Sequence, residues 1–161
     1  MPGLFKKIER IFRPNANGHR ESNDPVDVLN ESYRELNRLA AQIFNHADRA
    51  PYPGVAQTLR RVAEEKQSAA KTLHDKLAAM GGTMYETPLD IDSGGNHWER
   101  MGRDLSAHSV LETRFLERAA RLDEKAPDIA ELLRQVVHVQ SNHVRILMDL
   151  IARADPQAHQ T

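Results

Sequence analysis

Along most of the chain apolar residues recur at alternating spacings of three and four, the period of an α-helix that buries one face. Asp24 followed by Pro25 gives an N-cap and a first-turn proline, and Val26, Leu29, Tyr33, Leu36, Ala40, Ile43 and Ala47 then mark a first helix ending near Ala50. The turn Pro51-Tyr52-Pro53-Gly54 separates it from a second, whose buried side reads Val55, Leu59, Val62, Ala69, Leu73, Leu77 and Met80, and which Gly81-Gly82 stops. Asn96 with Glu99 three residues on has the spacing of a capping box and opens a third helix. Its seam is Trp98, Met101, Leu105, His108, Glu112, Phe115, Ala119 and Leu122. After a turn at Lys125-Ala126-Pro127, a fourth helix carries Ile129, Leu133, Val136, Gln140, His143, Leu147 and Leu150.

The pattern predicts an all-α four-helix bundle over residues 24–153. Two of its turns are short, while residues 81–96 form a long connection. Two antiparallel hairpins joined by a crossover follow from that contrast. A helix of about 25 residues is about 37 Å long, and the 16 residues of 81–96, fully extended, reach about 50 Å, enough to run the length of the bundle.

Ahead of the bundle, residues 1–13 hold a second kind of pattern. Leu4, Phe5, Ile8, Ile11 and Phe12 share one helical face, with Lys6, Lys7, Arg10 and Arg13 around it, which predicts a basic amphipathic helix suited to a membrane surface or a partner's groove. Folding back onto the bundle satisfies the same pattern. Residues 14–23 read as a flexible linker and 154–161 as a tail. The 161-residue chain has a formal net charge of −1, so no overall field draws it to nucleic acid. It has no cysteine, which excludes disulfides, thiolate nucleophiles, Cys-type zinc sites and iron–sulfur clusters. Without an apolar run of membrane-spanning or signal length, the expected location is cytoplasmic, peripheral to a membrane if the basic helix docks there.

The seam positions that are not apolar carry the candidate chemistry. Glu65 lies three residues after Val62 and four before Ala69; His108 and Glu112 are one turn apart; Gln140 and His143 are neighbours on one face. All lie near mid-helix, so the bundle brings them to one level. A buried carboxylate or imidazole must pair, shift its pKa or bind metal. Two readings therefore stand. In one, Glu65, His108, Glu112 and His143 ligate a single Fe, Mn or Zn ion, with Gln140, Tyr33 and Ser68 around them. In the other, no metal is held and the same groups form a hydrogen-bonded network that fixes helix register. His46 and His74, toward helix ends, read as partly exposed, and the run Arg114 to Arg121 as solvated surface.

Over residues 25–152 the chain resembles the ferritin-like superfamily, in particular bacterioferritin and rubrerythrin-type domains. LNESYRELNRLAAQIFNHA is similar to the bacterioferritin first helix, and RVAEEKQSAAKTLHDKLAAMGG to the family's second. The resemblance implies a di-iron site with one Glu from each of two helices and Glu-x-x-His from each of the other two. Leu36 stands at the first glutamate slot, Ser68 at a histidine slot and Gln140 at a glutamate slot; Glu65, His143 and one of His108 or Glu112 keep theirs. The resemblance also implies a homodimer formed through a bundle face. A motif kept in halves points to a binding or scaffold module with an altered centre. The alternative is a metal-dependent oxidoreductase acting on oxygen or peroxide at the same place, with Gln140 and Tyr33 orienting the ligand.

Overall fold

A computed structural model describes residues 21–85, 89–92 and 94–154. The expected N-terminal helix lies outside the described residues. Five helices are described: α1 (Pro25–Asp48), α2 (Pro53–Ala79), α3 (His97–Leu122), α4 (Pro127–Gln140) and α5 (Asn142–Arg153). Local chemistry sets their ends. Asp24 Oδ1 accepts from the Val26 and Asp27 amides at 2.9 and 3.3 Å ahead of Pro25. Asn96 and Glu99 close a reciprocal capping box on α3. At the end of α2, Gly81 adopts φ +71, the Gly81 amide donates to the Ala78 carbonyl and the Gly82 amide to the Leu77 carbonyl. That is a Schellman closure, in which a left-handed residue satisfies the orphan carbonyls of the last turn. A Cβ on Gly82 would sit 2.3 Å from Leu77 Cδ1, so a side chain here requires the Leu77 side chain to shift.

α4 and α5 together occupy the place of the predicted fourth helix, which is therefore not continuous. The Ser141 amide bonds three residues back to the His138 carbonyl at 3.2 Å, tightening one turn where Ser141 and Asn142, weak helix formers, follow each other. Gln140 and His143 flank the break and both stay buried.

α1 pairs with α2, and α3 with α4 and α5, around a core that includes Leu29, Leu36, Ile43, Leu59, Leu73, Met101, Phe115, Leu122, Leu133 and Leu147. Ion pairs give the directions. Early α3 meets late α1 through Asp104 and His46, and late α3 meets early α1 through Arg118 and Glu35, so these helices are antiparallel. Lys76, late in α2, reaches Asp128, early in α4. Chain reversal within each hairpin and a crossover between hairpins account for this arrangement.

Described residues of the crossover meet α1 at two levels. Buried Asn30 donates through Nδ2 to the Thr83 carbonyl at 3.1 Å, and its Oδ1 accepts from the Tyr85 amide at 3.1 Å. Near the other end of α1, His46 Nε2 lies 2.9 Å from the Asp92 carbonyl.

Two further polar clusters correct the expectations for His46 and for the Arg114 to Arg121 run. His46 is fully buried; its Nδ1 lies 2.7 Å from Asp104 Oδ2, and Gln42 Nε2 donates to Asp104 Oδ1 at 2.8 Å. Both ring nitrogens thus face oxygen acceptors, one a carboxylate and the other a backbone carbonyl. Arg118, only 2% exposed, donates to both oxygens of Glu35 at 2.8 and 3.1 Å and to Ser32 Oγ at 3.3 Å. Burial works against its charge, but the Glu35 hydrogen bonds and the charges of Glu35, Glu21 and Glu31 outweigh it and hold the guanidinium above its ordinary range. Arginine at that position has its stem on the core side of α3, while Glu117 and Arg121 of the same run are exposed.

Asn30→Ala removes the acceptor and donor that hold the crossover and leaves the Thr83 carbonyl and Tyr85 amide to find water. Urea denaturation should show a loss of about 1–3 kcal/mol with an unchanged m-value, together with faster amide exchange at Tyr85. An unaltered midpoint would mean that Asn30 does not anchor the strand.

Candidate functional site

The central layer is organised by a residue that the seam analysis passed over. Lys66 is fully buried, and its Nζ lies 2.7 Å from His108 Nδ1 and 2.8 Å from Gln140 Oε1. One amine thus ties α2 to α3 and α4. The spacing contains the signal: Val62, Lys66, Ala69 and Leu73 step four, three and four, which suits the inward face as well as the Glu65 register does. Charge makes such a residue easy to assign to the surface, since a lysine is almost never fully buried unless its ammonium is partnered.

With Lys66 inside, its neighbour turns outward. The Glu65 side chain is 47% exposed and reaches back to the layer's edge, where its Oε2 lies 2.5 Å from His143 Nε2. His143 itself is fully buried. If the Nε2 proton faces the carboxylate, Nδ1 keeps its lone pair, and this atom has no hydrogen-bond partner. On α3, His108 is fully buried with its ring centroid 5.7 Å from that of His143. Glu112, with 22% of its side chain exposed, brings Oε1 to 3.1 Å from His108 Nε2, close enough for an ion pair but off the hydrogen-bonding direction. Gln140 is 1% exposed; its oxygen is taken by Lys66 and its amide nitrogen has no partner.

The structure therefore brings Glu65, His108, Glu112, Gln140 and His143 to one level, with Lys66 among them. It does not place the other two predicted neighbours there. Ser68 is exposed on the far side of α2, because Lys66 and the Ala69–Ala70 pair take the inward positions. Tyr33 is half-buried against His74, the two ring centroids 5.9 Å apart, on the face where α1 and α2 meet the crossover.

Electrostatics follow from burial around one amine. Desolvation pulls Lys66 down to about 7, against the opposing charges of Glu112, Asp104 and Glu65. Desolvation, aided by the charges of Lys66 and His143, lowers His108 to about 3, so its imidazole is neutral across the physiological range. His143 is also lowered, by desolvation and Lys66, against the Glu65 contact. Glu112 is raised by desolvation, with Lys66 opposing.

These residues do not fit a di-iron pair. Such a centre needs about four carboxylates to neutralise and bridge two cations. The layer has two, both reaching in from the rim, and the His108 nitrogen that faces inward is engaged by Lys66. Among the described residues, no three His, Asp or Glu side chains converge in an arrangement that would hold an ion. His143 is the exception to this loss, since a carboxylate on one ring nitrogen and a free lone pair on the other is how ligating histidines are presented.

No family model matches the chain, and no curated protein matches it. Solved structures do. Mycobacterium tuberculosis bacterioferritin, BfrA, superposes with a TM-score of 0.73 at 19% identity, over 81% of this chain and 86% of that one. A mycobacterial bacterioferritin gives 0.71 at 22% identity over 78% and 81%, and a crystal structure of BfrA from M. tuberculosis gives 0.69 at 21% over the same shares. At these identities the likeness speaks to architecture, and it is unambiguous there: the chain has the ferritin-like four-helix bundle fold, of the form found in bacterioferritins.

Proposed function

We propose that this protein is a ferritin-like binding or scaffold module whose central layer is closed by its own amine rather than built to run metal-centred redox chemistry. The observation that carries the reading is the Lys66 side chain, fully buried and held by both His108 Nδ1 and Gln140 Oε1. A cation placed among His108, His143, Glu65 and Glu112 does part of what a metal ion would do there. It offsets the two carboxylates and links helices from both hairpins. The oxidoreductase alternative rests on His143, whose unpartnered Nδ1 and carboxylate-backed Nε2 suit one Fe, Mn or Zn ion. For that ion to enter, the Lys66 amine has to leave its place on His108.

Metal content separates the two. Protein purified from medium supplemented with iron, manganese and zinc should carry well below one ion per chain, and Lys66→Ala should move it toward one, a gain abolished by adding His143→Ala. A full equivalent of iron in the unaltered protein, with absorbance that bleaches on adding peroxide, would overturn the scaffold reading in favour of the oxidoreductase.

The same amine gives the bundle a characteristic pH dependence. Lys66 has a folded value of about 7, below its ordinary 10.5, so between these limits the unfolded chain binds more protons and stability rises with pH. Below about 7 the cost of burying the ammonium is present in full. His108, held near 3, works at the other end: the unfolded chain takes up a proton below about 6.5 that the folded ring refuses, so stability falls as pH drops toward 3. Denaturant midpoints should therefore climb from pH 7 to 10, and Lys66→Met should flatten that climb while leaving the acid-side fall in place. Parallel pH profiles for both proteins would show that Lys66 is not buried as described.

A further inference from the structure

Three buried polar atoms of the central layer are left over once its hydrogen bonds are drawn: Gln140 Nε2, His143 Nδ1 and His108 Nε2. His108 Nε2 has the Glu112 carboxylate 3.1 Å away, which leaves a pair to explain. Both members of the pair stand on described helices, one on each side of the break between α4 and α5. The partner at the far end of each group fixes its chemistry. A lysine amine beside an amide donates, so the Gln140 atom that Lys66 meets is the oxygen and the free one is the NH2. A carboxylate accepts, so the His143 nitrogen at Glu65 carries the proton and, in the neutral ring, Nδ1 presents a lone pair. One leftover atom donates and the other accepts, yet neither is bonded to the other.

Water suits such a pair, because it takes one hydrogen bond from the amide and gives one to the imidazole, and buried polar groups without a protein partner are commonly served in this way. The spacing agrees. Gln140 and His143 are three residues apart with both side chains buried, a separation of about 5–6 Å between Cβ atoms in a helical turn, and two bonds of about 2.8 Å span it. An interrupted helix also offers carbonyls of its last turn to the second hydrogen of an inserted water. We propose that one ordered water is bound in the central layer, accepting from Gln140 Nε2 and donating to His143 Nδ1. With it, polar contacts cross the bundle from Glu65 through His143, the water, Gln140, Lys66 and His108 to Glu112. The water holds the nitrogen that the oxidoreductase alternative gives to a metal ion, so an ion entering there displaces it. This site rests on the layer being closed by Lys66, which decides which end of the Gln140 amide is free.

A high-resolution crystal structure of the full chain tests the site directly. A density peak should lie within about 3.2 Å of both Gln140 Nε2 and His143 Nδ1. In solution, oxygen-17 relaxation dispersion reads long-lived internal water, and its amplitude should fall by the equivalent of a single molecule in His143→Phe, with circular dichroism unchanged. No peak at that place, or the two side chains bonded directly to each other, overturns the water and leaves the scaffold reading standing. An undiminished dispersion amplitude in folded His143→Phe does the same. A peak about 2.1 Å from Nδ1 with anomalous scattering is a metal ion and overturns both.

Discussion

Placing a primary amine inside a helical bundle is a constraint that reaches every neighbouring helix. Lys66 cannot be left without acceptors in a core of leucines, so its position demands His108 on α3 and Gln140 on α4 at bonding distance. Those two in turn fix the level at which the hairpins meet. The demand propagates outward, turning Glu65 to the rim, where it meets His143, and setting Glu112 beside the far nitrogen of His108. A bundle of wholly apolar seams has many nearly equivalent sliding registers, and a lysine with two specified partners removes most of them.

Polar clamps above and below repeat this logic between other pairs of helices. The His46, Gln42 and Asp104 cluster joins late α1 to early α3 and reaches the crossover through the Asp92 carbonyl. Arg118, with Glu35 and Ser32, joins the opposite ends of the same two helices. Between them lies the Lys66 layer, which joins α2 to α3 and α4. Burial of apolar side chains drives the association; the three polar levels decide which helix faces which, and at what height.

How legible this was in the sequence differs by feature. Helix periods, the Asp24 and Asn96 caps, the Gly81-Gly82 stop and the long crossover all follow from local rules, because each is set by residues close together in the chain. The bundle's polar layer was also legible as a level: Glu65, His108, Glu112, Gln140 and His143 do meet. Its centre was not, because Glu65 and Lys66 both satisfy the spacing to Val62 and the alanines, and only packing decides which points inward. The same ambiguity hid Arg118 within a charged run and Asp104 one turn from Met101. Ser68 follows from a histidine slot of the resembled motif, and Tyr33 from the seam of the first helix; Lys66 takes the inward place beside Ser68, and Tyr33 packs on His74 instead. No described helix is long and apolar enough to cross a membrane, in keeping with amphipathic rather than uniformly apolar seams.

The account turns on an amine held away from water between an imidazole and an amide. NMR observation of the Lys66 side chain, labelled with carbon-13 at Cε and followed through a pH titration, reports that environment directly. A single Lys66 resonance titrating near 7, absent from Lys66→Met, is the predicted result. Titration above 10, together with rapid solvent exchange of its protons, would place the amine in water and contradict the account.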